Sequence, residues 1–161
     1  MNSKLKTELF KAAVLTFEEL GFLLPNEEIE ECQQNAQAEA TVSVEFQGPF
    51  RGKLVVTVCG GLLPILAANM LGEELVPSER QQLDALGEIA NVICGNMLPG
   101  IAGPKEVFQV GAPQLVESAD SLNRNRESLV AEVQVGLEQG RAELKLFLDS
   151  DAIQYFKERA P

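Results

Sequence analysis

The chain contains no histidine, and this absence narrows the chemistry that it can perform. Without imidazole, the Ser-His and Cys-His arrangements that activate a nucleophile are excluded, and the commonest protein ligand for transition metals is missing. Cysteine is almost as scarce, since Cys32, Cys59 and Cys94 lie far apart and form no CxxC pair. A disulfide framework or a structural zinc site is therefore not expected. Any reaction must use carboxylates, amides, hydroxyls or lysine.

Positive charge is the second shortage, because 13 Lys and Arg face 24 Asp and Glu, which gives a net charge of -11. Nucleic acid and anionic lipid both require positive counter-charge, so neither is an expected partner. The apolar run AAVLTFEELGFLL is short and contains Glu18 and Glu19, which argues against a signal peptide or a membrane span. We therefore expect a cytoplasmic protein without membrane insertion.

The periodicity of the hydrophobic residues predicts the order helix, hairpin, helix, helix, strand, hairpin, helix. The first helix covers residues 3–20 and stops at Gly21, and residues 26–31 form an acidic loop or a frayed turn. The first hairpin is TVSVEFQGPFRGKLVVTV, which turns at GPFRG. Its apolar residues alternate in two runs, and we expect each run to share a face of its own: Val42, Val44 and Phe46 in the first, Leu54, Val56 and Val58 in the second.

The rest of the chain continues this order. LLPILAANMLG is a short apolar helix broken near its start by Pro64, VFQVGAPQLV is a strand that ends near Pro113, and ESADSLNRNRES is a loop. A second hairpin turns at LEQG, and Asp151 caps the final helix. The alternating residues of that hairpin are Leu129, Ala131, Val133 and Val135 opposite Ala142, Leu144, Leu146 and Leu148.

This order is a helix-plus-hairpin unit used twice. It predicts the α+β class, as a two-layer sandwich in which a mainly antiparallel sheet carries the helices on one face. With 161 residues and 45% hydrophobic composition, the chain suits a single domain over residues 1–161.

The helix that opens at Ser78 is the most informative stretch of the chain. Ser78 can cap it, Gln81 completes a capping box, and we expect Pro99 and Gly100 to end it. Its apolar residues fall at i, i+3, i+7, i+10 and i+14, which makes one continuous stripe: Leu83, Leu86, Ala90, Ile93 and Met97.

Polar side chains share the face of this helix that points away from the stripe. At about 100° per residue, Asp84, Glu88 and Asn91 cluster there with Gly95, so the helix presents two carboxylates and a carboxamide. Gly87 and Gly95 leave the face thinly covered, which would allow another backbone to approach it closely. No other stretch of the sequence arranges polar side chains in this way.

Asp84, Glu88, Asn91 and the distal Pro113 resemble the signature of the CheC/CheX/FliY phosphatases, in which Asp or Ser is followed by Glu, Asn and a distal Pro. The surrounding elements are similar as well. GPFRGKLVVTV, followed by a short helix ending in MLG, resembles the first half of a CheX-type domain, and the two closing strands resemble the second half. A Glu-x-x-Asn pair alone is a weak signal, but four matched positions in a matching order of elements favour the family.

The resemblance implies a phosphatase that acts on a phosphorylated response regulator of the CheY type. Asn91 would orient the attacking water and Glu88 would pair with the regulator's active-site lysine, while Asp84 and Pro113 would support the motif. The aspartyl phosphate and its Mg²⁺ would belong to the regulator, so the resemblance implies no metal and no cofactor bound by this chain.

The first helix carries no second Glu-Asn pair, since Glu8 is followed three residues later by Lys11. We therefore predict one active site per chain, as in the CheX-like branch. That branch is also associated with homodimers, and exposed edge strands offer a physical route to such pairing.

Two other classes of function remain open. A catalytically silent domain could bind a response regulator or the flagellar switch, and a general two-layer scaffold could carry the Glu-Asn pair by coincidence. The intact Glu88 and Asn91 favour the enzyme. Because response-regulator pockets are rich in carboxylates, docking of this acidic chain would have to rely on local charge complementarity.

Overall fold

Two halves of similar construction make up the fold. The computed structural model describes residues 2–26, 28–72, 76–117 and 127–159, over which the chain forms five helices and seven strands. The helices are α1 (Asn2–Glu19), α2 (Glu31–Gln34), α3 (Leu62–Leu71), α4 (Glu79–Ala102) and α5 (Ser150–Arg159). The strands are β1 (Pro25–Asn26), β2 (Ala38–Gln47), β3 (Arg51–Cys59), β4 (Gln109–Val110), β5 (Gln114–Leu115), β6 (Ser128–Leu137) and β7 (Gly140–Leu148).

The strands form one antiparallel sheet in the order β1-β6-β7-β3-β2-β4, and β5 also pairs with β2. The two hairpins, β2–β3 and β6–β7, meet at the centre through β3 and β7. The first half consists of α1 and the β2–β3 hairpin, and the second consists of α4 and the β6–β7 hairpin. Each long helix packs on the hairpin of the other half, α1 on β6 and α4 on β2 and β3. The α+β class and the repeated helix-plus-hairpin construction are therefore confirmed, and the two halves share one core.

The register of the first hairpin corrects one expectation. Val42 pairs with Val56 and Val44 with Leu54, so the two apolar runs lie on the same face of the sheet rather than on separate faces. Residues directly opposite each other in an antiparallel pair point to the same side, which only the pairing reveals. This face carries the core, whose largest fully buried side chains are Phe17, Phe50, Leu5, Leu9, Leu54, Leu62, Leu66, Leu86, Ile89, Ile93, Met97 and Leu137.

The segment expected as an acidic loop is more ordered than the sequence indicated. Pro25 and Asn26 pair with the end of β6, and α2 begins at Glu31, while Glu27 lies outside the described residues. Because the side chains of Val135 and Leu137 point into the core, Gly136 faces the other side of the sheet, and Gln33 of α2 packs against it. The short α2 thus lies on the face opposite the core helices.

Several helix ends also differ from expectation. The turn after α1 uses Phe22 at φ +54° rather than Gly21, and Pro64 lies in the first turn of α3, where no backbone N–H is needed. The N-terminus of α5 is capped by Asp149, not by Asp151, because the Asp149 Oδ1 accepts a hydrogen bond from the Ala152 N–H at 3.1 Å.

The long helix α4 begins as predicted and ends later than predicted. The Ser78 hydroxyl accepts from the Gln81 N–H at 3.2 Å, and the Gln81 side chain accepts from the Ser78 N–H at 2.8 Å, which completes the capping box. The helix continues through Pro99 to Ala102, three residues further. Pro99 leaves only the carbonyl of the exposed Gly95 without its helical donor, and the continuation buries Ile101.

The region after α4 forms two short strands instead of one. β4 and β5 both pair with the outer edge of β2, and Pro113 lies between them rather than at the end of a single strand. Of the predicted loop that follows, residues 118–126 lie outside the described residues, and Ser128 already belongs to β6. The second hairpin is confirmed, with Val133 opposite Leu144 and Val135 opposite Ala142. Leu129 departs from the expected alternation, because a register shift between Leu129 and Ala131 places it opposite Phe147, and its side chain is 47% exposed.

Among the described helices, α4 alone is long and apolar enough to cross a membrane by length and composition. In this fold, however, 56% of its most apolar window is buried inside the protein. Its hydrophobicity is that of a central core helix, which packs against α1, α3, β2 and β3.

Replacing the capping residue of α4 tests how much its first turn contributes to stability. We expect Ser78→Ala to lower the free energy of unfolding by about 1 kcal/mol, because the Gln81 N–H loses its acceptor. Ser78→Asp keeps an acceptor at the same position and is expected to stay close to the parent protein. Urea denaturation of the three proteins measures the difference, and an Asp variant as unstable as the Ala variant would contradict the capping role.

Candidate active site

One cleft brings together most of the residues that the sequence motif singled out. It has a volume of about 330 Å³ and lies between α4 and the β4–β5 edge. The residues that line it are Val42, Leu83, Asp84, Gly87, Glu88, Asn91, Pro113 and Leu115. Of the six residues predicted for the site, Gly95 is the one that does not line this cleft.

The position of the polar side chains follows from the burial of the opposite side of α4. Leu86, Ala90 and Ile93 are fully buried in the core, which sets the rotation of the helix about its axis. Asp84 and Glu88, one turn apart, are consequently exposed, and Asn91 lies half-buried one further turn along. The structure therefore has the polar face that helical spacing predicts for α4.

The carboxamide of Asn91 is unusual among the polar groups of the protein. Its Oδ1 is buried and accepts no hydrogen bond from any residue that the structure describes. Among the described residues, one other buried side-chain oxygen, Oε2 of Glu127, also lacks a hydrogen-bond partner, but it lies 3.6 Å from the Lys53 ammonium. An unsatisfied buried acceptor costs about 1–3 kcal/mol, and folded proteins pair most such groups. Asn91 thus lines the cleft with a carboxamide whose hydrogen-bonding capacity the described residues do not use up.

Gly87 and Pro113 form the wall of the cleft. A Cβ placed on Gly87 would lie 3.1 and 3.2 Å from the Cβ and Cγ of Pro113, so the glycine is what allows the proline ring to approach α4 this closely. Pro113 has no N–H to leave unpaired, which suits its place at the edge of the sheet. The close approach at Gly87 is therefore made by the same chain, whereas Gly95 has no atom within 4 Å of such a Cβ and is open.

Sequence reasoning missed the apolar part of the cleft. Val42 was predicted only to share a face of its strand with Val44 and Phe46, and Leu115, which is 48% exposed, was not singled out. Both reach the cleft because Leu115 pairs with Val42 across β5 and β2. A strand of two residues has no periodicity to detect, so no pattern in the sequence could have revealed this pairing.

The charge of the cleft favours a cationic or hydrogen-bond-donating group. Both ionisable residues that line it, Asp84 and Glu88, are carboxylates, and neither forms an ion pair within the described residues. A lysine ammonium is one group that could meet them with a charge-assisted hydrogen bond. Over the described ranges, no group of three or more Cys, Asp or Glu is placed to hold a metal ion, and the expectation that this chain binds neither metal nor cofactor stays a prediction.

Cys94 lies on the buried side of α4 and does not take part in this chemistry. Burial raises the pKa of its thiol to about 12, and burial also raises the pKa of Cys59. Both cysteines are fully buried, so neither supplies a thiolate nucleophile at neutral pH.

The fold and the cleft define an α+β domain with a carboxylate–carboxamide site on its central helix. The sequence matches the family model described as chemotaxis phosphatase CheX over residues 40–135, which is more than half of the chain. The protein belongs to this family.

Solved structures of similar fold include CheX from Vibrio vulnificus, with a TM-score of 0.69 and 16% identity over 92% of this chain and 99% of that chain. The CheX–CheY–BeF3–Mg²⁺ complex from Borrelia burgdorferi has a TM-score of 0.58 and 14% identity over 89% of this chain and 95% of that chain. The FliM middle domain from H. pylori has a TM-score of 0.55 and 8% identity over 99% of this chain and 97% of that chain. At these identities the likeness shows the fold. No curated protein sequence matches the chain significantly.

The two helix glycines give a matched pair of substitutions. Gly95→Ala places a methyl group in open space on an exposed helix and is expected to raise the free energy of unfolding by about 0.5–1 kcal/mol. Gly87→Ala has the same helix propensity but meets the Pro113 ring, so we expect a smaller gain or a loss. Chemical denaturation compares the two variants, and equal gains would contradict the close packing of Pro113 on α4.

Thiol reactivity checks the burial around α4. At pH 8 we expect a thiol reagent to modify Cys32, which is exposed, and to leave Cys59 and Cys94 unmodified. All three thiols should react after unfolding in guanidinium. Fast modification of a second thiol in the folded protein, assigned by peptide mass, would show that the core behind the site opens.

Proposed function

We propose that this protein dephosphorylates a phosphorylated response regulator of the CheY type, in chemotaxis or a related two-component pathway. Membership of the CheX family supports a phosphatase activity, and the B. burgdorferi CheX has been solved with CheY, BeF3 and Mg²⁺. The observation that carries the proposal is the place of the Asn91 carboxamide, which lines the cleft beside Glu88 and has no described residue hydrogen-bonded to its oxygen.

Asn91 is proposed to orient the attacking water. Phosphoryl transfer depends mainly on positioning and charge stabilisation, so the missing component for hydrolysis is a water in line with the bond that breaks. The Asn91 carboxamide lines the cleft and can both accept and donate hydrogen bonds, so a turn of its side chain toward the partner would let it hold that water. A carboxamide carries no charge and does not repel the phosphoryl group as a carboxylate would. Water adds to phosphorus, the acyl-phosphate P–O bond breaks, and inorganic phosphate and the regulator's free carboxylate result.

Glu88 is proposed to fix the docking register by pairing with a lysine of the regulator. Its carboxylate is exposed and forms no ion pair within the described residues, so it is available to an incoming ammonium. Residues three apart on a helix are neighbours, which lets Glu88 and Asn91 enter one pocket of the partner together. The metal ion that neutralises the phosphoryl group would be the regulator's own.

Asp84 and Pro113 have supporting places in this proposal. Asp84 lies one turn before Glu88 on the same exposed face and adds negative charge for the incoming ammonium. Pro113 closes the cleft on the sheet side by its contact with Gly87. Neither side chain is proposed to touch the phosphoryl group.

A second candidate function is a catalytically silent domain that binds a response regulator or the flagellar switch. The likeness to the FliM middle domain over almost the whole chain favours keeping it as an alternative, because one fold can serve both purposes. The two functions differ in turnover and not in binding, which is what the experiment must separate.

A homodimer is also proposed. β6 pairs with β1 only at Gly136 and Leu137, so residues 128–135 have no neighbouring strand on that edge within the described residues. An unpaired edge of this length can pair with a second copy. Sedimentation equilibrium tests the proposal, and a monomer at every concentration studied would reject it.

The decisive measurement is the decay of a phosphorylated CheY-type regulator with Mg²⁺, in the presence of the protein or its variants. We expect Asn91→Ala to lower kcat by about 100-fold or more, because the water loses its orientation. Glu88→Ala is expected to lower kcat/KM by about tenfold or more and to weaken binding of the regulator. Both residues lie off the core stripe, so circular dichroism should show folded proteins.

Two variants on the same helix serve as controls. Asn96→Ala removes the same side chain from the side of α4 that faces α1, where the Asn96 Nδ2 donates to Thr16 Oγ1. Glu79→Ala removes an exposed carboxylate from the first turn. Neither should change turnover. Full activity of a folded Asn91→Ala protein would reject the water-positioning role, and binding without acceleration by the parent protein would favour the silent domain.

A further inference from the structure

A second cleft lies at the other end of α4 from the candidate active site. It has a volume of about 650 Å³ and is formed by the first turn of α1, the last turn of α4 and α5. Ile101 in this cleft follows Glu88 by 13 residues on the same helix, which places the two clefts about 20 Å apart along the helix axis. The two sites are therefore separate.

The floor of this second cleft is apolar. Leu5, Ile101 and Tyr155 are buried and form the floor, and Phe156 is half-buried at the side. Ile153 is 43% exposed at the rim, although it is a large apolar residue. The Tyr155 hydroxyl is already used, since it donates to the Ala102 carbonyl at 2.9 Å. A cleft of this size and lining suits the apolar body of a small molecule.

The rim of the cleft is positively charged. Its three charged lining residues, Lys4, Lys157 and Arg159, are all cations, in a chain whose net charge is -11. Arg159 is held in place, since its guanidinium lies 3.9 Å above the Tyr155 ring and 3.7 Å from a Glu106 carboxylate oxygen. Lys4 and Lys157 form no ion pair within the described residues.

The backbone of α1 adds to this positive field. Lys4 and Leu5 belong to the first turn of an 18-residue helix, where the N–H groups and the helix dipole favour an anion. No acidic residue lies in that turn to offset the dipole. Cations at the rim and an apolar floor together are complementary to a molecule that has one negative charge and an apolar body.

We propose that this cleft is a binding site for a small amphipathic anion, with an aliphatic or aromatic body on the floor and one carboxylate among Lys4, Lys157 and Arg159. The site is independent of the proposed phosphatase function. The ligand must carry a negative charge, because an uncharged molecule would form no ion pair with the cations of the rim. It must also have an apolar body, because a highly polar anion would not pack on the apolar floor.

Titration with three eight-carbon probes tests the proposal. Octanoate, octanol and octylammonium share one aliphatic chain and differ in charge, and amide NMR spectra of the full chain report both affinity and location. We expect octanoate to shift the amides of Leu5, Ile101, Gly103 and Phe156, octanol to bind about fivefold or more weakly, and octylammonium to produce no shifts there. Equal binding of octanoate and octanol, or shifts confined to other regions, would overturn the proposal.

Charge-matched variants separate this site from general attraction to lysine. Lys4→Gln/Lys157→Gln should weaken octanoate binding by about tenfold, while Lys6→Gln/Lys145→Gln, which removes two lysines that do not line the cleft, should leave it unchanged. Ile153→Asp adds a carboxylate at the exposed rim and should abolish binding in a protein with an unaltered circular dichroism spectrum. Equal losses in the two double variants would reject the cleft as the site.

Discussion

The burial of one side of α4 is the constraint on which the rest of the structure depends. Leu86, Ala90, Ile93 and Met97 are fully buried, and the helix packs against α1, α3, β2 and β3. These contacts prevent rotation of the helix about its axis, and because each residue advances about 100°, the direction of the polar face is settled at the same time. The geometry of the candidate site is therefore inherited from the core, which is how functional side chains are held most accurately.

The exchange of hairpins between the two halves explains why the site contains residues that are distant in sequence. α4 belongs to the second half but packs on β2 and β3 of the first, and β2 carries β4 and β5 on its outer edge. That edge brings Pro113 against Gly87 and Leu115 against Val42. The cleft exists only when both halves are assembled, so stability of the core and integrity of the site are physically linked.

Local sequence patterns predicted the features that depend on a single helix or hairpin. Features that depend on how strands pair with one another could not be predicted from the sequence. The capping box at Ser78 and the acid–amide face of α4 follow from helical spacing, and both hairpins follow from alternation. The common face of Val42 and Val56 required the strand register, and the edge pairing of Leu115 involves a strand too short to carry a pattern. α4 continues past Pro99 because burial of Ile101 outweighs one missing backbone hydrogen bond, a tertiary effect that local propensity does not contain.

Local charge, and not the net charge of -11, decides what each cleft can accept. The two clefts on α4 have opposite signs, with Asp84 and Glu88 at one and Lys4, Lys157 and Arg159 at the other. Their separation of about 20 Å is about two and a half times the Debye length of about 8 Å at physiological salt, so each field acts largely alone. An acidic protein can therefore approach a regulator whose pocket is itself acidic if one lysine meets Glu88, and it can attract an anion elsewhere. A net charge of -11 opposes binding to extended anionic surfaces, but it does not prevent a single carboxylate from binding in a cleft lined by cations.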